Sequence, residues 1–325
     1  MGEQQCSQNG IKSLLVEEGK RLSSYLDSSG NSVPTTDVTS RREDCCNSSR
    51  SLYCPECCRV LIPKSTWPPC FVNQTLSLPF SMDVILGLKE RRTSSTGIQM
   101  MAICQMMSES SKGGKAGGDC VRSSSDDDPS WWKDTKLYDL NRGDKIPEYP
   151  LASNGEDSVS TYVLFPLKGK SVPLSAVAKK IRKLVILDIK WTKSGMIQLD
   201  PSLSQVPCVH LEFPPQISHF WRWHNCCGEG MLSTIEAIYF AALEVSVALG
   251  WDRERRDQII NMMWLFSLQR SIISAKASTS LKPLPFSKEG KAQQKAARIR
   301  KDGKDKEAQR KRSQRDPFYT NLDNS

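Results

Sequence analysis

The chain has 325 residues, of which 38% are hydrophobic, and its formal net charge is +9. This composition supports one large core or two modest ones and is too polar for a bundle of membrane-spanning helices. The charge is uneven, because residues 282–316 contain 13 basic and 5 acidic side chains and the 281 residues before them carry a net charge of only +2. A nucleic-acid footprint spread over a whole fold is therefore not expected.

Cysteine usage indicates the compartment. Six of the 12 cysteines lie between Cys45 and Cys70. The first residues contain no basic region followed by an apolar core, and no stretch approaches the roughly 18 apolar residues of a spanning helix. We therefore expect a soluble, intracellular protein in a reducing compartment. Clustered cysteines in such a compartment favour metal binding over disulfides.

The first third of the chain divides into four segments. Residues 1–40 are rich in Ser, Asn, Asp and Gly and are predicted to be a disordered N-terminal segment. Residues 41–72 hold the cysteine cluster. The runs LSLPFSMDVILGL and TGIQMMAIC, which follow, predict strands of a buried sheet. Residues 106–134 are dominated by Gly, Ser and Asp and are predicted to be a disordered insertion.

The middle of the chain alternates between strand and helix patterns. TYVLFP at 161–166 predicts a short strand, and 171–183 has helical spacing with basic residues at its end. LVILD at 184–188 is a continuous apolar run that is typical of a central parallel strand, and 206–213 predicts another strand. Strand, helix and strand at this spacing predict a crossover unit and an α/β fold.

Two helices and a basic tail follow. Ser233 and Glu236 form the pattern of a capping box at the start of a helix over 233–249, whose apolar surface predicts burial. An amphipathic helix is predicted over 251–273. Residues 282–325 have few hydrophobic residues and are predicted to be a disordered basic tail.

The cysteine cluster contains one Cys-x-x-Cys pair, Cys54 and Cys57, and an adjacent pair upstream, Cys45 and Cys46. Two tight turns that each carry two thiolates form a tetrahedral zinc site readily. Neighbouring side chains of an extended chain point apart, so only one of the adjacent pair is expected to ligate easily, and Cys58 and Cys70 are substitutes. The predicted ligands are these two pairs, and the alternative is a group of free thiols.

Three other features are candidates for chemistry. Asp188 ends the buried strand, where open α/β sheets bind ligands, or it caps a loop. The glycines before Ser233 and the helix that follows offer an anion site, although an ordinary helix start has the same pattern. In FWRWH at 220–224, Arg222 is a candidate for RNA contact, whereas the tryptophans are more typical of core.

The segments LVILDIKW, FWRWH and MLSTIEAIYFAALE, preceded by SRSLYCPECC and a YVLFP strand, together resemble the DTW-domain family of tRNA-uridine aminocarboxypropyltransferases. The similarity runs from about Cys45 through Ala277, apart from the insertion. It implies a SPOUT-like domain over residues 73–281, with a mostly parallel sheet and a C-terminal trefoil knot. A small zinc module precedes this domain, and the basic tail follows it.

The resemblance also implies an activity. The 3-amino-3-carboxypropyl group of S-adenosylmethionine would be transferred to N3 of a uridine in the tRNA D-loop, releasing methylthioadenosine. Asp188 is assigned as the base or as the partner of the cofactor ammonium. Lys190 stands where the family has Thr; we assign it with Arg222 to the substrate RNA, and the alternatives are that it reaches a cofactor carboxylate or blocks the pocket. The residues implied for cofactor binding are Phe165, Pro166, Asp188, Trp191, Leu232, Ser233 and Thr234.

Two alternatives stay open: a SPOUT-type RNA methyltransferase, and a catalytically lapsed RNA-binding adaptor that contains zinc. The expected partner is tRNA, with no membrane and no DNA. The basic groups at 298–301 and 310–312 favour the nucleus over the cytoplasm. A solvated tail that only speeds association with RNA has the same pattern.

Overall fold

The computed structural model describes residues 2–28, 45–46, 52–111, 131–150, 160–189, 200–215, 218–220, 231–279 and 307. The chain divides into two compact units. The first comprises Met1–Ser218 and Cys226–Ile272, and the second comprises His219–Asn225 and Ile273–Ser325. The predicted cysteine module and the sheet that follows it belong to the first unit. No helix of the described part is long and apolar enough to cross a membrane.

The first unit is built on one six-stranded sheet. Its order is β2-β1-β5-β3-β6-β4, and every pairing between neighbours is parallel. The prediction of an α/β fold with a mostly parallel sheet is confirmed, and the trefoil knot stays a prediction. The strands are Ser81–Leu86 (β1), Lys136–Asp139 (β2), Ser160–Leu164 (β3), Val172–Pro173 (β4), Ile181–Asp188 (β5) and Cys208–His210 (β6).

Strand register brings two carboxylates to one edge of the sheet. Leu86 at the end of β1 pairs with Asp139 of β2 on one side and with Asp188 of β5 on the other. Strands β1 and β5 lie in the core because their apolar residues are continuous; Leu184, Val185 and Ile186 of β5, for example, are all buried. Parallel strands covered on both faces have this continuous apolar pattern.

The described part of the chain contains eight α-helices. They are Gly2–Ser28 (α1), Pro69–Val72 (α2), Gly97–Ser111 (α3), Leu174–Val177 (α4), Pro201–Ser204 (α5), Thr234–Ala248 (α6), Arg253–Gln258 (α7) and Trp264–Thr279 (α8). As the sequence predicts, α6 begins with a capping box at Ser233 and Glu236, and 11 of its 15 residues are buried. The single helix predicted over 251–273 is instead α7, a 3-10 segment at Ile259–Met263 and α8.

Helix α1 corrects the expected disorder of residues 1–40. The leucines at 15, 22 and 26 lie on one face of this helix and are at most 5% exposed. Polar composition predicts disorder, but leucines at helical spacing provide an apolar stripe that packs against the protein. Residues 29–40 lie outside the described part of the chain.

Two further expectations are wrong in part. TGIQMMAIC forms the first turns of α3 and not a strand, because a short apolar run does not by itself distinguish a buried strand from a buried helix. The predicted insertion at 106–134 is shorter at both ends: α3 continues to Ser111, and Trp131 is buried and donates its Nε1–H to the Leu76 carbonyl at 3.0 Å. Residues 112–130 are not described.

The helix predicted over 171–183 is also much shorter. Only α4 and a 3-10 turn at Ala178–Lys180 are helical, and β5 already begins at Ile181. Of the basic residues expected at a helix end, Lys179 and Lys180 therefore lie in the turn that leads into β5, and Arg182 and Lys183 lie in β5 itself.

Candidate functional site

A small pocket lies at the carboxyl edge of the sheet, where the ends of β3 and β5 face the start of α6. Its cavity is about 60 Å³. The residues that line it come from three separate segments, Leu164 with Phe165, Ile186 with Leu187 and Ile189, and Leu232 with Thr234 and Ala237. The family resemblance implies a cofactor site at these three segments, and that site stays a prediction.

The predicted site residues are distributed unevenly around this pocket. Phe165, Leu232 and Thr234 line it, and Ser233 lies between the last two at the start of α6. Pro166 follows Phe165 in the chain but is exposed and does not line the cavity. Three other predicted residues, Lys190, Trp191 and Arg222, lie outside the described residues.

Asp188 lies at a junction between three chain segments. Its Oδ2 accepts a short hydrogen bond from the Ser95 hydroxyl and a second one, of 3.1 Å, from the Gly97 N–H. The side chain of Thr234 also lies beside this carboxylate and favours its charged form. We call Ser95, Thr96, Gly97, Asp188, Thr234 and Ile235 the Asp188 junction.

The rest of the junction ties the start of α3 to the start of α6. The Ser95 hydroxyl accepts from the Ile98 N–H at 3.2 Å, which caps α3. Thr96 Oγ1 accepts from the Ile235 N–H at 3.3 Å, across to α6. Because Thr234 also lines the pocket, only this one side chain separates the Asp188 carboxylate from the pocket.

The protonation of Asp188 is shifted by this environment. Burial raises its pKa above the usual aspartate value, although hydrogen bonds from Ser95, Thr234 and Gly97 favour the charged form and oppose the shift. A carboxylate whose pKa is raised is a better proton acceptor than an ordinary surface aspartate. The loop cap on Lys190 or Trp191 that the alternative interpretation expects lies outside the described residues, and among the described residues the Gly97 N–H at the start of α3 donates to this carboxylate.

The start of α6 is less open to an anion than the sequence suggests. The Ser233 N–H donates to Glu236 Oε2 at 2.9 Å, and the hydroxyls of Ser233 and Ser218 donate to the same oxygen. Two backbone N–H groups that a bound anion would use, those of Ser233 and Ile235, thus have acceptors within the protein.

The four predicted cysteine ligands form a cluster. The Sγ atoms of Cys45, Cys46, Cys54 and Cys57 all lie within 4.8 Å of one another. Cys46 and Cys54 are 3.7 Å apart, and Cys45 and Cys57 are 4.0 Å apart. Four sulfurs bound at ~2.3 Å around one tetrahedral zinc lie about 3.8 Å from one another, so this donor set fits zinc.

A hairpin holds the Cys54–Cys57 pair. Tyr53 and Val60 form an antiparallel bridge, and the Cys54 N–H donates to the Arg59 carbonyl at 2.8 Å. The expectation that only one of Cys45 and Cys46 reaches the site is wrong, because the chain bends at Cys45 and is not extended there.

The cysteines of the cluster differ in pKa. Hydrogen bonds with Cys57 and Cys54 raise the pKa of Cys46 to about 12. Burial raises the pKa of Cys57, but hydrogen bonds from the backbone of Arg59 and Cys46 and from the side chains of Cys46 and Cys54 together outweigh it, and the pKa falls to about 7. Close thiols that share protons in this way release them when a metal ion binds.

Two polar residues near the site are not identified by the sequence patterns. Ser95 holds Asp188, and Arg92 contacts both the cysteine hairpin and Asp139. A signal for Ser95 is present, since Ser-Ser-Thr-Gly before an apolar run is typical of a helix start. Nothing local marks Arg92, whose partners are 34 to 47 residues away.

Fold and site together define a mostly parallel α/β protein with a pocket at the carboxyl edge of its sheet and a thiol cluster suited to a metal. No family model matches the chain, and no solved structure matches it. The chain is 23% identical to tRNA-uridine aminocarboxypropyltransferase 1 of Xenopus laevis over 247 residues, which cover 70% of this chain and 78% of that protein. This distant similarity suggests the DTW-domain family.

Proposed function

We propose that the protein is a tRNA-uridine aminocarboxypropyltransferase that uses S-adenosylmethionine. The observation that carries the proposal is the pocket at the carboxyl edge, because its lining comes from the three segments that the family resemblance assigns to the cofactor. The distant similarity to the Xenopus laevis enzyme supports the same activity independently of the pocket. A SPOUT-like fold and tRNA as the partner are part of this proposal.

In the proposed reaction, uridine N3 attacks the γ-carbon of the cofactor side chain. The bond between that carbon and the sulfonium sulfur breaks, and the sulfur keeps the electron pair and leaves as methylthioadenosine. The N3 proton must leave for nitrogen to attack, and Asp188 is the proposed acceptor or, alternatively, the partner of the cofactor ammonium. Phe165, Leu232 and Thr234 are proposed to enclose the cofactor and hold the two reacting atoms in line.

The remaining predicted residues complete the proposal. Lys190 and Arg222 are assigned to RNA phosphate or bases, and Pro166, Trp191 and Ser233 to the cofactor site. Zinc, held by the cysteine cluster, is assigned a structural role, because four thiolates close the coordination sphere and leave no position for a substrate.

One transfer assay tests the activity. The protein is incubated with tRNA and with S-adenosylmethionine that carries one label in the aminocarboxypropyl chain and a second label in the methyl group. We expect the first label on tRNA uridine and methylthioadenosine in solution. Transfer of the methyl label alone would instead identify a methyltransferase, and tRNA binding without transfer would identify an adaptor.

The role of Asp188 is tested by Asp188→Asn, with Asp134→Asn at an exposed site as the matched control. If Asp188 is the base, turnover at saturating cofactor falls about 100-fold or more and the KM for the cofactor stays unchanged. If it holds the ammonium, the KM rises instead. Transfer at the wild-type rate and with the wild-type KM, at matched protein abundance, would remove Asp188 from the proposed mechanism.

A further inference from the structure

Arg92 is anchored on the turn between two of the cluster cysteines. Its side chain is 11% exposed. Nε donates to the Pro55 carbonyl at 2.7 Å, and Nη2 donates to the Glu56 carbonyl at 2.9 Å. Because Pro55 and Glu56 are the two residues between Cys54 and Cys57, the guanidinium holds the backbone whose shape brings those thiols together.

The other side of the guanidinium is anchored on the sheet. Nη1 lies 3.0 Å from Asp139 Oδ2, at the carboxyl end of β2, and the Asp139 side chain is 3% exposed. Burial opposes ionisation of Asp139, but the hydrogen bonds from Arg92 and Asn141 outweigh it and hold its pKa below the usual value. A planar donor with several fixed N–H groups suits this task, which the single ammonium of a lysine cannot reproduce.

Arg92 is also close to the Asp188 junction along the chain. The Ser95 N–H donates to the carbonyls of Arg91 and Arg92, at 3.1 and 3.4 Å. The Ser95 hydroxyl then donates to Asp188, and two residues later the Gly97 N–H donates to the same carboxylate. A single short segment, 92–97, therefore connects the cysteine hairpin with the carboxylate of the candidate site.

We propose that Arg92 is a positioning residue through which the metal-loaded cysteine cluster fixes the Ser95–Gly97 segment against Asp188. The link to catalysis rests on the proposed function, but the coupling itself does not. Metal binding orders the Cys54–Cys57 turn, the turn orders Arg92, and Arg92 orders the cap of α3. Since coupling between two sites is reciprocal, loss of Arg92 weakens metal binding as well as the junction.

Amide hydrogen exchange of the full-length protein tests the coupling without cofactor or tRNA. The readout is exchange in peptides that cover residues 95–99, measured with zinc bound and after its removal by a chelator. In the wild-type protein we expect removal of zinc to speed this exchange about tenfold, which corresponds to about 1.4 kcal/mol of local stability. Zinc affinity is measured in parallel by competition with a chromogenic chelator.

The decisive comparison is Arg92→Met, a neutral residue of similar length. We expect fast exchange at 95–99 in this variant even with zinc bound, little further change when zinc is removed, and weaker zinc binding. Arg142→Met is the matched control, because Arg142 also pairs with Asp139 and Glu56 but is 50% exposed and donates to neither carbonyl of the turn. It should behave like the wild type.

Two outcomes would overturn the proposal: slow exchange at 95–99 in Arg92→Met with zinc bound, or an equal acceleration on zinc removal in the variant and the wild type. Protection of α6 reports whether the variant folds. If Arg92→Met fails to fold, Arg92→Lys, which keeps the charge toward Asp139, replaces it, and intermediate exchange is expected. Because no step uses tRNA or S-adenosylmethionine, failure of the transfer assay and failure of the coupling are separate results.

Discussion

At Gly97, backbone and carboxylate approach each other so closely that no side chain fits. A Cβ atom there would lie 2.6 Å from Asp188 Oδ2 and 3.0 Å from Val84 Cγ1. Both neighbours belong to strands of the central sheet, β5 and β1, and cannot withdraw easily. The glycine is therefore required by space, and it allows the N–H at the start of α3 to reach the carboxylate.

We predict that Gly97→Ala lowers the free energy of unfolding by about 1–3 kcal/mol, as overpacking of a close contact does. Gly19→Ala is the control with the opposite sign. Gly19 lies inside α1, and a methyl group added there would meet no atom within 4 Å, so alanine is expected to raise the free energy of unfolding by about 0.5–1 kcal/mol. Urea unfolding measures both, and an equal effect of the two substitutions would contradict the steric argument.

Among single residues, the sequence identifies a candidate site residue when its place in a local motif indicates its role. Asp188 is recognisable because it ends a buried strand, and the four cysteines because they are clustered. Arg92 is not recognisable, and Ser95 is recognisable only as part of a helix start, because the roles of both depend on partners brought together by the fold, 47 and 93 residues away at the farthest. A local pattern contains no information on such a partner.

Among the helices, α6 carries a buried carboxylate that the proposed reaction does not use. Glu244 is 1% exposed, and its two oxygens accept the Glu212 N–H at 3.2 and 3.0 Å. Burial raises the pKa of Glu244 to about 7, although the N–H of Glu212 opposes the shift and the Glu212 charge adds to it. Between pH 4.5 and about 7 the folded state therefore holds a proton that the unfolded chain has released.

The consequence is a loss of stability as the pH rises. Glu244 has an ordinary pKa of 4.5 when unfolded, so its stabilising contribution is complete below pH 4.5 and is lost as the pH rises to about 7. We predict that Glu244→Gln removes a decrease on the order of 3 kcal/mol over this interval. Denaturant unfolding from pH 4.5 to 8 measures it. The control is Glu254→Gln, at an exposed position of α7, which should leave the dependence of stability on pH unchanged. If Glu244→Gln also kept the wild-type dependence, this would refute the argument.

The sequence predicts a whole helix or strand correctly where its local residue pattern agrees with its surroundings in the fold. The capping box and apolar surface of α6 predict both its start and its burial. For α1 composition is misleading, because tertiary contacts hold the helix: its leucine stripe is buried, and on its polar face Arg21 pairs with Asp257 and Asp27 with Arg270 at 2.9 Å. Stability that comes from such tertiary pairs is invisible in the segment itself.

Across the whole molecule, charge and proposed chemistry occupy different parts of the chain. Residues 1–281 carry a net charge of only +2, whereas residues 282–316 carry +8. The pocket and the Asp188 junction belong to the near-neutral part. Nucleic-acid affinity arises mainly from contacts between cations and phosphate, so the proposed function assigns affinity to the basic segment and catalysis to the pocket.

Deletion of residues 282–325 tests this separation. We predict weaker tRNA binding and a flatter dependence of affinity on salt, because fewer counterions are released when 13 basic side chains are absent. Turnover at saturating tRNA should be retained, since the pocket residues remain.

A variant in which the order of residues 282–316 is shuffled keeps the charge and is expected to restore both affinity and salt dependence. Filter binding across a salt series and the transfer assay measure these quantities, and a collapse of turnover at saturating tRNA would show that the basic segment takes part in catalysis.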